Sequence, residues 1–314
     1  MLVNPFKLAQ MGILGMNERN IRYISRYNQR KLFPLVDNKL ETKKLLENSD
    51  IHVPELLATI EHQSQINNLH GLIPKSGGFV IKPAKGSGGK GILVVQHNNA
   101  PTFFKPNGTE LQVEQLQHHC SNILAGLYSL GGKLDTAIIE RLINFDQLFS
   151  DYSFEGVPDI RIIIFKGYPV MAMMRLSTEA SDGKANLHQG AVGVGLDIST
   201  GRALNAVQFG KPISHHPDTQ QQLAELKVPN WQEMLVLAAK CYEKTGLGYL
   251  GADIVLDVER GPLLLELNAR PGLSIQIANG CGLKPRLKLI EKQSEVRTAE
   301  QRVLFSQAEF SNFS

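Results

Sequence analysis

A chain of 314 residues, 42% hydrophobic and 20% charged, has ordinary globular composition and room for about two domains. Its net charge of +3 arises from 33 basic and 30 acidic residues with no like-charged run, so the charge pattern predicts no nucleic-acid partner. Cys120, Cys241 and Cys281 are far apart and form no CxxC pair, which argues against a disulfide framework or zinc knuckle. Three buried thiols in a reducing compartment are the expectation. The apolar residues near the start (Phe6, Leu8, Met11, Ile13, Leu14) are too interrupted for a signal peptide. No stretch approaches the roughly 20 apolar residues that span a bilayer. A cytoplasmic protein is expected, of unspecified oligomeric state.

In chain order, Ile21, Ile24 and Tyr27 predict a helix over 17–31, and a second covers 38–48. Val53-Pro54 leads into an extended segment, and 60–70 is weakly helical. FVIKP (79–83) and ILVV (92–95) are strands around a glycine-rich loop. A helix over 110–127 precedes a strand over 136–143. After a polar and aromatic connection (144–158) come strands 160–165 and 168–176, joined by a Lys166-Gly167 turn. Residues 177–205 read as loop with one short strand. A helix over 230–245 is capped by Asn230, presents Leu235, Ala238, Ala239 and Tyr242 as a stripe, and stops at Gly246. Strands 251–257 and 263–268 follow, then a last helix over 283–292 and a polar tail. The mixture lacks strict βαβ alternation, which predicts an α+β fold.

The densest local pattern runs from Ile81 to Gly91. Gly86, Gly88, Gly89 and Gly91, with Ser87 among them, allow close backbone approach to a phosphate, and Lys82 and Lys90 supply charge. The spacing matches a dinucleotide fingerprint only formally, because the loop leads into a strand and not a helix. A Walker loop fails because Ala84 and Gly91 occupy its first glycine and its Ser/Thr positions. A protein-kinase reading lacks HRD and DFG elements. A phosphate-covering flap and a plain hairpin turn both remain open.

The second pattern is acidic. A hairpin with Glu259-Arg260 at its tip sets Asp253 opposite Glu266, and alternation puts Asn268 on the same face as Glu266. Paired carboxylates repel unless a cation lies between them, and Asp, Glu and Asn oxygens suit Mg²⁺. The alternative is a solvated polar sheet face.

Taken together, Asn38-Lys39, Lys82-Pro83 with the glycine loop, Glu140, Asp159-Ile160-Arg161, Asn186-Leu187-His188-Gln189-Gly190, Gly251-Ala252-Asp253-Ile254 and Glu266 to Gly272 resemble the ATP-grasp superfamily. Within it, the chain is similar to the ribosomal-protein glutamate ligases, and above all to their α-L-glutamate ligase-like subfamily. The resemblance covers about residues 37 to 290. It implies two α+β lobes sandwiching a nucleotide: a reduced helical N-terminal region (1–75), a small lobe with the flap (76–143), and a large lobe with the metal site and C-terminal helix (144–314).

The implied reaction is ATP-dependent ligation of a carboxylate to an amine through an acyl-phosphate, adding glutamate or a related amino acid to an amine acceptor. ATP and Mg²⁺ are the implied cofactors. Lys39 and Lys82 would touch phosphates under the loop 86–91. Glu140, Arg141, Leu142 and Ile143 would form the adenine hinge. Asp253, Glu266 and Asn268 would hold Mg²⁺. Arg161, with Arg175, Lys184 and Asn186, would face the transferred phosphoryl group, while His188 reads as loop scaffold more readily than as a base. Three features depart from the ligases: the short region before Lys39, the fifteen-residue link 144–158, and Lys184 where arginine is usual. An ATP-grasp kinase acting on a hydroxyl, or a nucleotide-binding regulator without turnover, would carry the same nucleotide residues.

Overall fold

The computed structural model describes residues 5–311 apart from 76, 87, 98–101 and 146. The chain divides into two compact units. One comprises Asn38–Lys44 and Val53–Asn144, the other Met1–Asp37, Leu45–His52 and Phe145–Ser314. Every strand pairing in both units is antiparallel, which fits the α+β expectation.

In the smaller unit the strands are β1 (Leu56–Ile60), β2 (Phe79–Pro83), β3 (Leu93–His97), β4 (Phe103–Phe104), β5 (Glu110–Leu111) and β6 (Ala137–Arg141). They form one sheet in the order β1-β6-β2-β3-β4-β5. The two-residue period of a strand sorts the side chains. Phe79 and Ile81 of β2 join Ala137 and Ile139 of β6 in a core completed by Leu116, Cys120 and Ile123 of the helix Val113–Leu124. Lys82 and Glu140 therefore fall on the opposite face, where Ile138 packs with Ala84 and Leu40. The helix expected over 110–127 is shorter, because Glu110 and Leu111 pair with β4.

The larger unit holds β7 (Asp159–Phe165), β8 (Tyr168–Leu176), β9 (Val192–Leu196), β10 (Ala203–Gln208), β11 (Lys211–Ile213), β12 (Tyr249–Asp257) and β13 (Gly261–Asn268). Their order is β11-β10-β9-β8-β7-β12-β13. Lys166 and Gly167 both have positive φ (51° and 82°), the primed geometry that suits a two-residue hairpin between β7 and β8. The helix Trp231–Thr245 packs across β7, β8, β12 and β13, burying Leu235, Ala238 and Ala239. Gly246 ends it in a left-handed conformation, its N–H donating to the Tyr242 carbonyl. Asn230 does not cap it: φ is 52°, and the side-chain amide donates to Glu233 instead.

Three expectations are corrected here. The segment after 292 is no polar tail but a helix, Ala299–Phe310, with Thr298 accepting from the Gln301 N–H. Its polar residues concealed a stripe of Ala299, Val303, Ser306 and Phe310. The first helix contains a π-helical stretch, Arg19–Ile24, so the wider turn buries Arg19, Tyr23 and Ile24 and leaves Ile21 70% exposed. Tyr23 and Tyr27 then meet Phe165 edge-on, at 5.5 and 4.9 Å. Finally, Cys120 and Cys241 are buried, whereas Cys281 is only partly so; all three are free thiols.

Candidate active site

In the smaller unit, Glu140 lies between two lysines. Its carboxylate is 2.6 Å from Lys82 Nζ and 2.9 Å from Lys43 Nζ, and all three side chains are at most 10% exposed. Burial alone would raise the Glu140 pKa, but Lys82 and Lys43 outweigh it and hold the group below its usual value. One carboxylate against two ammonium groups leaves a surplus positive charge on a sheet face, the electrostatics an anion requires. Lys43 was not singled out from sequence. It lies one helical turn beyond Lys39, a spacing that could have revealed it. Lys39 Nζ donates to the Gly86 carbonyl, 2.8 Å away.

The glycine loop is pinned at its base. Asp135 accepts from the Lys85 N–H and the Ser129 hydroxyl (2.7 Å), and Gly86 bridges Ser129. His119 Nε2 lies 2.9 Å from the Gly91 carbonyl. Gly88, Gly89 and Gly91 have φ of 64°, 75° and 75°, and a Cβ on Gly91 would come within 2.5 Å of the Tyr128 ring. Lys90 is exposed. Ser87 lies outside the described residues. In the expected hinge, the Arg141 and Leu142 N–H groups already donate to the Glu55 and Gly78 carbonyls.

In the larger unit, strand register assembles a charged row. Asp159 pairs across the ladder with Arg175, Arg161 with Asp253, and Asp253 with Glu266, while Gly251 opposes Asn268. Arg161 grips Asp253 with two hydrogen bonds, Nε to Oδ1 at 2.7 Å and Nη2 to Oδ2 at 2.6 Å. Arg175 holds Asp159 through two 2.5 Å bonds and reaches Asp253 Oδ2 at 2.8 Å. The Asn268 amide donates to the same oxygen at 3.3 Å. Each guanidinium keeps its Nη1 unengaged among the described residues, so each can still bind an anion.

The Asp253–Glu266 pair arises differently from the sequence argument. From Asp257–Gly261 to Ile254–Leu264 the register follows a three-residue tip, with Asp257 accepting from the Glu259 and Arg260 N–H groups. Continued unbroken, it would set Asp253 against Leu265. A β-bulge at Leu265 shifts the ladder by one and delivers Glu266. The predicted partner is correct because the longer tip and the bulge cancel.

Burial would raise the Asp253 pKa, but Arg161 and Arg175 overcome it and hold the group at about 2. For Asp159 burial wins: despite Arg175, and with Asp253 adding repulsion, it is pushed up to about 6. Two arginines thus supply positive charge beside Asp253. Among the described residues no group of three or more His, Cys, Asp and Glu stands ready to hold a metal ion. The donor chemistry nevertheless suits Mg²⁺: Glu266 and the Asn268 carbonyl are hard, half-buried oxygens, and Asp253 could join them only where a guanidinium yields. Lys184 and Asn186 are not gathered into this row by any recorded bond. Lys184 pairs with Asp182 at the surface, and the Asn186 side chain accepts from the His188 N–H. His188 is exposed.

The antiparallel two-sheet α+β fold, with its lysine-bearing strand and acidic hairpin, is the ATP-grasp fold. The sequence pattern of the sugar-transfer associated ATP-grasp family matches residues 18–292, and the chain belongs to that family. No curated protein matches the chain. Among solved structures it is similar to the ATP-grasp ligase PsnB complexed with minimal precursor, at 11% identity over 89% of this chain and 63% of that one, with a TM-score of 0.46. It is also similar to D-cycloserine synthetase DcsG (14% identity, 98% and 81% coverage, TM-score 0.44). D-alanyl-alanine synthetase A from Vibrio cholerae O1 biovar eltor is a third (10%, 90% and 67%, TM-score 0.48). The chain spans 63% of the length of the PsnB chain. No helix among the described residues is long and apolar enough to cross a membrane.

Proposed function

We propose that the protein is an ATP-dependent ligase that joins a carboxylate to an amine, with Mg²⁺ as its metal. In that reaction a carboxylate oxygen attacks the γ-phosphorus and ADP departs; the amine nitrogen then attacks the acyl carbon and phosphate leaves. Such chemistry needs positioning and charge neutralisation more than side-chain proton transfer. Lys82 and Lys39 bind phosphate oxygens, the glycine loop covers them, and residues 140–143 receive the base. The Nη1 groups of Arg161 and Arg175 hold the transferred phosphoryl group or the carboxylate, with Lys184 and Asn186 at the edge of this role. Glu266, Asn268 and Asp253 are the ligands proposed for Mg²⁺, which when bound would neutralise phosphate charge. Glutamate or a related amino acid, joined to an amine acceptor, is the substrate class we favour. The free thiols support a cytoplasmic setting.

The observation that carries this reading is the charged row on β8, β7, β12 and β13, where two arginines with spare donors adjoin Glu266 and Asn268. One feature favours a second reading. The Asp253 carboxylate is saturated by guanidinium and amide donors, as it would be in a nucleotide-binding protein without turnover. Incubating the purified protein with ATP, Mg²⁺ and pairs of amino acids or peptides separates the two. Release of ADP and phosphate that depends on both a carboxylate and an amine is expected. Nucleotide binding without release for any pair would establish the second reading.

A further inference from the structure

The larger unit contains a second concentration of positive charge that the proposed chemistry has not used. A cleft of about 880 Å³ is lined by Arg19, Arg30 and Arg270 together with Asn20, Asn28 and Phe33. That volume is within the range of small-molecule sites.

Arg19 is only 9% exposed, and its guanidinium binds neutral acceptors alone: the Pro271 carbonyl at 2.7 Å and the Asn20 side-chain oxygen at 2.8 and 3.1 Å. No carboxylate pairs with it among the described residues. Buried charges are ordinarily paired, so a buried guanidinium with only neutral partners favours the approach of an anion. Burial lowers the Arg19 pKa; Tyr249 opposes that shift, and Arg270 adds a smaller lowering. Arg30 is exposed and has no hydrogen bond or ion pair from its side chain among the described residues. Arg270 stacks over the Phe33 ring at 5.3 Å, and its one acidic neighbour among the described residues, Asp37, stands 3.6 Å away with half its surface in solvent. Three guanidiniums thus face one concavity, and the fork of each matches a carboxylate or phosphate.

The cleft is built into the fold. Asn28 donates to the Tyr249 and Ala269 carbonyls and accepts from the Tyr249 N–H at 2.8 Å, fixing the helical entry segment against the start of β12 and the exit of β13. Arg270 lies two residues beyond Asn268, so the cleft begins where the acidic row ends.

We propose that this cleft binds a small dianion carrying at least one carboxylate, a dicarboxylate or a phosphorylated carboxylic acid, and that this ligand is the acid consumed in the ligation. The second half of that statement rests on the ligase reading; the anion site does not.

The test is calorimetric titration of the whole protein with glutarate, inorganic phosphate and acetate. Saturable binding of glutarate or phosphate, at least tenfold tighter than acetate, is expected, and the tighter of the two identifies the ligand class. Arg30→Ala and Arg270→Ala change exposed side chains, and the melting temperature shows that each variant is folded. Each should weaken the bound dianion about tenfold or more. Dianion binding that is absent in the wild type, or unchanged in both variants, would overturn the proposal. Dianion binding without any ADP release would leave the cleft standing and remove the ligase reading.

Discussion

The two units solve one electrostatic problem in opposite senses. In the smaller unit a single carboxylate, Glu140, is shared by Lys82 and Lys43, so the buried cluster carries excess positive charge. In the larger unit Asp159 and Asp253 are balanced by Arg161 and Arg175, and Glu266 lies opposite Asp253 on the neighbouring strand. The residue types differ accordingly. Lysine serves as a point charge toward one carboxylate, whereas the arginine fork ties two aspartates together with fixed geometry. One cluster is thereby suited to an anion, the other is a nearly balanced network, and arginine is the harder residue to replace.

That contrast can be broken most severely at Arg175. Arg175→Ala leaves two buried aspartates with one guanidinium between them and should lower stability toward the upper end of about 3–5 kcal/mol. Arg175→Lys should recover only part of it, because one ammonium cannot make the paired bonds; urea denaturation reads both. Glu140→Gln leaves Lys82 and Lys43 facing each other and should cost toward the lower end, about 3 kcal/mol by the same measure. If the glutamine variant proved as stable as the wild type, the shared carboxylate would have no structural weight.

Binding measurements sharpen the comparison further. Lys82→Ala should weaken ATP by ~1.5–3 kcal/mol, the range for a charged hydrogen bond, in a calorimetric titration. Glu266→Ala should abolish Mg²⁺-dependent turnover while shifting stability by no more than about 1 kcal/mol, since it removes a half-buried polar group and no core volume. Full activity in that variant would dispose of the metal assignment.

The remaining test is in pH. The Asp253 pKa is depressed to about 2, so its stabilisation is complete above its ordinary value near 4 and is lost as pH falls toward 2. Asp159 is raised to about 6, so its ionised form is penalised above pH 6 and the penalty is relieved as pH falls from 6 to 4. Relative to Asp159→Asn, the wild type should therefore gain stability between pH 7 and pH 4. A constant difference across that range, read from melting curves, would refute the shift.

The charged groups were legible in the sequence, but their partnerships were only half legible. Glu266 and Asn268 stand out because a strand's two-residue period assigns them to one face, Asp253 because the hairpin sets it opposite Glu266, Lys82 because of the glycine loop beside it, and Arg161 through the family resemblance. Arg175 taking both aspartates, and Lys43 taking Glu140, depend on which strands and helices become neighbours. The Asp253–Glu266 pair marks the limit, because a bulge at Leu265 and a longer tip together produce the register that a simpler hairpin would have supplied.

What the sequence determined by itself was local. Alternation and turn chemistry made the strands, the Lys166-Gly167 hairpin and the helix ending at Gly246, since each depends on interactions a few residues long. Only the tertiary structure decided that arginine supplies the positive charge beside Asp253, that Arg19 is buried with no carboxylate partner among the described residues, and that Ala299–Phe310 is a packed helix. Those outcomes depend on burial against distant segments, and desolvation of a charge is a property of its surroundings rather than of its neighbours in sequence.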